Sequence, residues 1–230
     1  MKSQKKDRLR EMQLAFVGKM MAGLSHEFKN HLAIIKELNG LIEDLLMLEE
    51  SGQSPDRDRY KKITSGINER VGQAAEMCSF LSGFSHRMDQ PLSSISVSDV
   101  LQEKIYLLRR FSQQKQVELS ASFEEDMPLI FNDPALLQFA IFCIVWPALE
   151  LLESGSRILI TGKGKGLSVE IAVSLEGKMK QSEDETFWKD MLPEVLQMLG
   201  AEFTRRVNKE GNEEIVVTIA SIDSLSRDDM

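Results

Sequence analysis

His26 is the residue of this sequence that is best placed for covalent chemistry. Apolar residues recur from Leu14 to Leu45 at alternating steps of three and four. A rotation of 100° per residue puts His26 about 180° from that stripe, and Lys29 and Asn30 on the same outward side. A neutral imidazole nitrogen is a nucleophile near pH 7. Because exposed helix surfaces also carry histidines by chance, the spacing alone leaves both interpretations open.

The stripe opposite His26 predicts a long amphipathic helix. It runs over about 40 residues, longer than a typical globular helix, and has the spacing of a heptad seam. Its members are Leu14, Val17, Met21, Leu24, Phe28, His31, Ile35, Leu38, Ile42 and Leu45. The segment 51–56 then predicts a turn, with Ser54 as the cap and Pro55 as the first residue of the next helix.

A second long helix is predicted after the turn and ends before Pro91. Its apolar stripe consists of Tyr60, Ile63, Ile67, Ala74, Met77, Leu81, Phe84 and Met88. Two such helices form a helical hairpin that leaves apolar surface uncovered. We therefore expect a two-fold homodimer in which two hairpins make a four-helix bundle.

The second half of the sequence predicts an α+β domain with helices on one face of a mixed sheet. Helices are predicted at 98–114 (with Ser98 as the cap), 133–153 and 184–199, a short apolar run at 129–131, and strands at 116–123, 157–161, 167–174, 202–207 and 214–220. The expected domains are a helical hairpin at 1–90, a Ser-rich linker at 91–98, an α/β-sandwich at 99–223 and a tail at 224–230.

The composition of the sequence limits the binding partners and the cellular compartment that we expect for this protein. Lys+Arg 28 against Asp+Glu 36 give a net charge of −8, which argues against nucleic acid because phosphate contacts need clustered basic residues. The uncharged run 134–149 is too short for a bilayer span, and the amino terminus lacks the apolar stretch of a secretory signal. We expect a cytoplasmic protein without a membrane span or a structural zinc site, and Cys78 and Cys143 as buried reduced thiols.

The segment LAFVGKMMAGLSHEFKNHLAII at 14–35 closely resembles the H box of two-component sensor histidine kinases and the matching helix of phosphorelay phosphotransferases. The resemblance implies that His26 is the phosphoacceptor and that Glu27 orients the ring or takes its proton. It also implies that Asn30 can position a water that hydrolyses an aspartyl phosphate. His31 replaces the usual proline, and its place on the seam predicts a packed or hydrogen-bonded residue rather than a ligand.

The second domain resembles the ATP-binding domain of the same kinases, with altered nucleotide-binding elements. In DPALLQFAIFCIVWPALE, Cys143 and Pro147 stand where the family has asparagines; neither supplies a hard oxygen to magnesium, and Pro147 is expected to bend or break the helix. Leu175 replaces the aspartate that binds adenine, and Met179 replaces the last glycine of that motif. The acidic segment 181–185 replaces a Gly-rich loop, so we expect no bound nucleotide.

The segment Gly-Lys-Gly-Lys-Gly at 162–166 combines residue types that are common in phosphate sites. It lies between two predicted strands and does not lead into a helix, so it lacks the context of a phosphate-binding loop. We therefore expect a hairpin turn here.

Together these features favour a histidine phosphotransferase, or degenerate histidine kinase, that relays a phosphoryl group between His26 and receiver-domain aspartates. The partners would be response regulator receiver domains, which would supply the magnesium, and an upstream sensor kinase is a further partner to consider. Two alternatives stay open: a phosphatase that uses Asn30 and a water, and a non-catalytic pseudokinase scaffold. An active autokinase ranks last.

Overall fold

The computed structural model describes residues 2–90, 92–180 and 186–221, with the side chains of 2–6 and 186–191 outside the description. Two long helices open the chain, α1 at Lys2–Glu50 and α2 at Arg57–Asp89. The predicted helical hairpin is therefore present. The chain divides into two compact units, one made of Met1–Met20 with Phe84–Met230 and the other of Met21–Gly83.

The turn between the two helices lies where it was predicted, but its cap is a different residue. The carboxylate of Asp56 accepts the backbone N–H of Asp58 at 3.0 Å, and α2 begins at Arg57. Ser54 and Pro55 precede the helix, so their predicted roles as cap and first helical residue are wrong. Aspartate is as good a cap as serine, and Asp56 stands directly before the helix.

The buried face of α1 differs from the predicted seam over its first turns. The buried apolar residues there are Met12, Phe16, Met20 and Leu24, which follow one another at steps of four. Leu14 is 63% exposed and Met21 is 39% exposed, although both were predicted on the seam. For Leu14 the reason is that α1 up to Met20 belongs to the unit that contains the α/β module: the ring of Phe16 contacts Phe139, with centroids 5.7 Å apart.

The α/β module contains three further helices and seven strands within the described residues. The helices are α3 at Val97–Lys115, α4 at Pro134–Leu151 and α5 at Thr186–Met198; the strands are β1 at Ser93–Ile95, β2 at Glu118–Phe123, β3 at Ile130–Asn132, β4 at Arg157–Lys165, β5 at Ser168–Glu176, β6 at Glu202–Val207 and β7 at Glu213–Ala220. Strands β1 and β3 form a small antiparallel sheet. Strand β1 thus lies inside the segment 91–98 that was predicted as a linker.

The main sheet has five strands in the order β2-β4-β5-β7-β6. Strands β2 and β4 are parallel, and the other neighbours are antiparallel. Helix α4 lies between α3 and α5, and the three helices contact β2, β5 and β6 in the same order across the sheet. The helices therefore form one layer over a mixed sheet, which confirms the predicted α+β architecture.

Helix α4 is the core helix of this module. Asp133 caps it by accepting the backbone N–H of Leu136 at 2.9 Å, and Pro147 lies inside it without ending it, so the expected break is absent. By length and composition α4 could cross a membrane, but 78% of it is buried inside the fold.

Helix α3 is capped by Ser96 rather than by the predicted Ser98.

Candidate functional site

The side chain of His26 lies on the exposed surface of α1, as the helical spacing predicted. Lys29 and Asn30, in the following turn, are exposed as well, and Glu27 is half-buried. These side chains stand on one uninterrupted helix, because α1 continues to Glu50. An imidazole in this position is open to an approaching partner. The roles assigned to His26, Glu27 and Asn30 stay predictions from the resemblance.

His31 is packed into the hairpin, as its place on the seam predicted. The residue is 9% exposed, and its Nδ1 atom is buried without a hydrogen-bond partner among the described residues. Helix α1 continues on both sides of His31, at the position where the H box that this segment resembles usually has proline, which would interrupt a backbone hydrogen bond.

The two positions that correspond to asparagines in the ATP-binding domain that this module resembles, Cys143 and Pro147, offer no ligands for a magnesium ion. Cys143 is 2% exposed, and burial raises the pKa of its thiol far above the ordinary value. Pro147 is half-buried and has no polar side chain. The buried state predicted for Cys143 is confirmed, whereas Cys78 is exposed. The prediction for Cys78 is wrong because the neighbouring Met77 takes the buried position of the stripe, and the next residue is turned about 100° away from it.

The segment that follows β5 is tied to the end of α4 by backbone hydrogen bonds. The N–H of Glu153 donates to the carbonyl of Lys178 at 2.9 Å, and the N–H of Lys180 donates to the carbonyl of Leu151 at 2.7 Å. Leu175, at the adenine-aspartate position, is 7% exposed. The acidic segment 181–185 lies outside the described residues. In the described part, the place of the adenine aspartate is filled by a buried leucine.

Both lysines of the segment 162–166 form ion pairs with the carboxylate of Glu170. The Nζ atoms of Lys163 and Lys165 lie 3.0 and 2.8 Å from the two carboxylate oxygens of Glu170. The hydrogen bond from Lys165 lowers the pKa of Glu170. Residues 162–165 belong to β4, and a two-residue turn at Gly166 leads into β5, so the predicted hairpin is confirmed with a tighter turn.

Sequence reasoning missed a buried cluster that joins α1 to the module. Lys104 of α3 is fully buried, and its Nζ lies 4.4 Å from the ring centroid of Phe16 and 4.5 Å from that of Phe84. Burial holds the pKa of Lys104 well below its ordinary value. The signal in the sequence was the row Met12, Phe16 and Met20, which runs beside the predicted seam.

Comparison with known proteins identifies the fold. No family model matches the sequence, and no curated protein matches it. The catalytic domain of histidine kinase ThkA, in a nucleotide-free form, is 12% identical and aligns with a TM-score of 0.50 over 57% of this chain and 97% of that chain. ThkA crystallised with the response regulator TrrA is 14% identical, with a TM-score of 0.50 over 96% of this chain and 67% of that chain.

A third similar structure is the histidine kinase AdeS of Acinetobacter baumannii, at 12% identity and a TM-score of 0.48 over 86% of this chain and 98% of that chain. At these identities the similarity concerns the fold. The chain has the histidine-kinase-like fold of two-component proteins, in which a helical hairpin precedes an ATPase-like α/β module. The resemblance stated from the sequence is confirmed at this level.

Proposed function

We propose that this protein is a cytoplasmic histidine phosphotransferase of two-component signalling. In this proposal, an imidazole nitrogen of His26 attacks the phosphorus of a receiver's aspartyl phosphate. The N–P bond forms, the P–O bond to the aspartate breaks, and the ring loses a proton to Glu27 or to water. The reverse reaction on a second receiver returns the phosphoryl group to an aspartate.

The exposure of His26 is the observation that carries the proposal. The imidazole, Lys29 and Asn30 are accessible on one side of α1, where a receiver can align its aspartate with the ring. Phosphoryl transfer depends mainly on alignment and charge neutralisation. Because the receiver would bring its own magnesium, this chain needs to supply only a rigid helix and the nucleophile.

The residues at the nucleotide-binding positions of the module argue against phosphorylation from ATP. A buried thiol and a proline stand at the two asparagine positions, and Leu175 offers no acceptor for the adenine amino group. Receiver domains are the favoured partners, since the similar kinase ThkA was crystallised with a response regulator. A phosphorylated receiver, rather than ATP, is therefore the proposed source of the phosphoryl group.

The test is to incubate the purified protein with radiolabelled ATP and, separately, with a labelled phosphorylated receiver. We expect acid-labile label from the receiver and none from ATP, and we expect His26→Gln to lose it. His31→Gln is the matched control, because His31 lies buried on the same helix. Label from ATP on His26 would contradict the proposal and restore an autokinase.

The phosphatase alternative is favoured by one specific observation, the exposure of Asn30 one turn after His26. In that case the receiver would lose its label to inorganic phosphate without labelling this protein, and Asn30→Ala would slow the loss. If neither His26→Gln nor Asn30→Ala changes the fate of the receiver's label, the scaffold alternative is the better account.

We also propose that the hairpin works as a homodimer. A groove of about 610 Å³ lies on the hairpin, and all of its lining residues fall between positions 34 and 70. Its apolar lining residues are Ile34, Leu38, Leu41, Leu45, Leu48 and Ile63, and charges of both signs, Asp44, Glu69, Arg59, Lys62 and Arg70, stand among them. Such a surface is self-complementary, since a second copy can bury the apolar floor and pair the charges.

A further inference from the structure

The ring of Phe16 is the centre of an aromatic cluster built from several helices. It lies 4.7 Å from the ring of Phe142 and 5.7 Å from that of Phe139, both on α4. It also meets Phe84 of α2 edge to face at 5.6 Å. Phe16 is completely buried. A single side chain of α1 therefore fills a pocket with aromatic walls.

The α4 side of this pocket is one helical face. Phe139, Phe142 and Trp146 follow one another at steps of three and four, so they project from the same side of the helix. Trp146 stacks on Phe142 at 5.3 Å, and the Nζ of Lys19 lies 4.3 Å from the centroid of Trp146. Helix α1 thus contacts this face at two points, one turn apart.

Cys143 borders this face. At 100° per residue, Cys143 lies about 40° from Phe139, beside the row of aromatic side chains. This is one of the two positions at which the sequence has lost an asparagine. Cys143 is 2% exposed, so side chains of this chain cover the position.

We propose that the first turns of α1 are an internal ligand of the ATP-binding-like module, anchored by Phe16 on the aromatic face of α4 beside Cys143. The docking face for the chain's own helix borders the positions from which asparagines would hold a nucleotide's metal. This goes beyond the phosphotransferase proposal and does not depend on whether His26 becomes phosphorylated.

The cations around the cluster favour an aromatic occupant. Lys104 approaches Phe16 and Phe84, and Lys19 approaches Trp146, each at 4.3–4.5 Å from a ring centroid. Ring faces attract ammonium groups at such distances. An aliphatic residue at position 16 would fill part of the pocket without offering a ring to Lys104, so Phe16→Leu should hold α1 less firmly than the native residue does.

Two reporters that belong to the chain make the proposal testable in the full-length protein. The sequence has 2 tryptophans and 2 cysteines, so Trp188→Phe leaves Trp146 as the single fluorophore and Cys78→Ser leaves Cys143 as the single thiol. In this background we compare Phe16→Ala and Phe16→Leu with Leu14→Ala, a control on the same helix at a residue that is 63% exposed.

We expect Phe16→Ala to shift Trp146 emission to longer wavelength, to increase its quenching by acrylamide, and to speed the reaction of Cys143 with a thiol reagent. Phe16→Leu should show smaller changes in the same direction, and Leu14→Ala none. If Phe16→Ala loses its helical circular dichroism, the comparison is made with Phe16→Leu. Unchanged Trp146 quenching and Cys143 reactivity in the folded Phe16 variants would overturn the proposal.

Discussion

At the scale of single residues, Lys104 shows how an unfavourable charge is held inside the fold. The contact with each of the rings of Phe16 and Phe84 stabilises the ammonium of Lys104 by about 0.5–2 kcal/mol. Removing an ammonium from water costs several kcal/mol. In the part of the chain that the structure describes, its Nζ has no hydrogen-bond partner. The cost of desolvation is therefore larger than the stabilisation by the rings, and the pKa of Lys104 is lowered. The charge of Glu103 opposes this change, and the charge of Arg87 lowers the pKa further.

We predict that Lys104→Met raises the free energy of unfolding at pH 7 by about 1–3 kcal/mol, because it keeps the packing stem and removes the buried charge. The wild type should gain stability as pH rises between the lowered pKa and about 10.5, since unfolding takes up a proton in that window. The variant should lack this gain. Urea unfolding across pH measures both effects.

Lys115→Met is the matched control for Lys104, because Lys115 ends the same helix with a partly exposed side chain paired to Glu150. A surface pair of this kind contributes about 0–1 kcal/mol, so this variant should retain the pH dependence of the wild type. Parallel stability curves for the wild type and Lys104→Met would show that Lys104 does not titrate differently in the folded protein.

Gly177 gives a second prediction at this scale. Its φ is +123°, and an added Cβ would lie 2.3 Å from Oγ and 3.1 Å from Cα of Ser156. Because backbone is among the clashing atoms, side-chain rotation cannot relieve the contact. We expect Gly177→Ala to lower the free energy of unfolding by about 2–4 kcal/mol, measured by urea unfolding.

Gly155→Ala serves as the control for Gly177, since its φ is +86° and an added Cβ would meet nothing within 4 Å. It should cost only the backbone strain, about 1 kcal/mol. Equal losses in the two variants would contradict the steric account. Gly177 stands where the motif that this segment resembles has a glycine, and its close approach to Ser156 accounts for a glycine here without a nucleotide.

At the scale of elements, α4 continues through a proline that should weaken it. Pro147 has no N–H for the carbonyl of Cys143, and its ring crowds that carbonyl. We predict that Pro147→Ala raises the free energy of unfolding by about 1–2 kcal/mol, less than the full cost of about 3 kcal/mol for an interior proline, because part of the buried ring is lost. Thermal unfolding measures the change.

Pro134→Ala in the same helix should act in the opposite direction. Pro134 is at the start of α4, where its missing N–H needs no partner and its fixed φ suits the helix. A stability gain from both proline substitutions, or from neither, would contradict this account of α4.

The elements themselves were largely predictable from the sequence, and the misses have physical causes. Periodicity located α1 and α2 because their stripes are long, and β4 and β5 because their alternation is regular. The seam of α1 was misplaced at Leu14 and Met21 because a heptad pattern does not tell which neighbour covers it. Strand β1 was missed because three residues, Ser93–Ile95, are too few for a periodic signal.

At the scale of the whole molecule, the candidate site was predictable only as far as exposure. The sequence alone placed His26 outward, since 100° per residue is a fixed property of the helix. The row Met12, Phe16 and Met20 indicated a second apolar face of α1, but the partners of Phe16 were not predictable, because they lie on three other helices that are far apart in the sequence. Long-range contacts of this kind depend on the tertiary fold and leave little local pattern.

The hairpin groove leads to a prediction about assembly. Leu41 lines the groove and is 44% exposed, so a second copy would bury it. We expect Leu41→Glu to place a charge in that interface and to shift the protein from dimer to monomer, with the dissociation constant raised about tenfold for each 1.4 kcal/mol of binding free energy lost. Sedimentation equilibrium measures the mass in solution.

Leu46→Glu provides the matched control for Leu41, because Leu46 is 47% exposed on the same helix and does not line the groove. Five residues of helix turn it about 140° away from Leu41. If the groove is the interface, Leu46→Glu should remain a dimer at concentrations where Leu41→Glu is a monomer. A monomeric wild type, or equal weakening by both substitutions, would show that this groove does not join two copies.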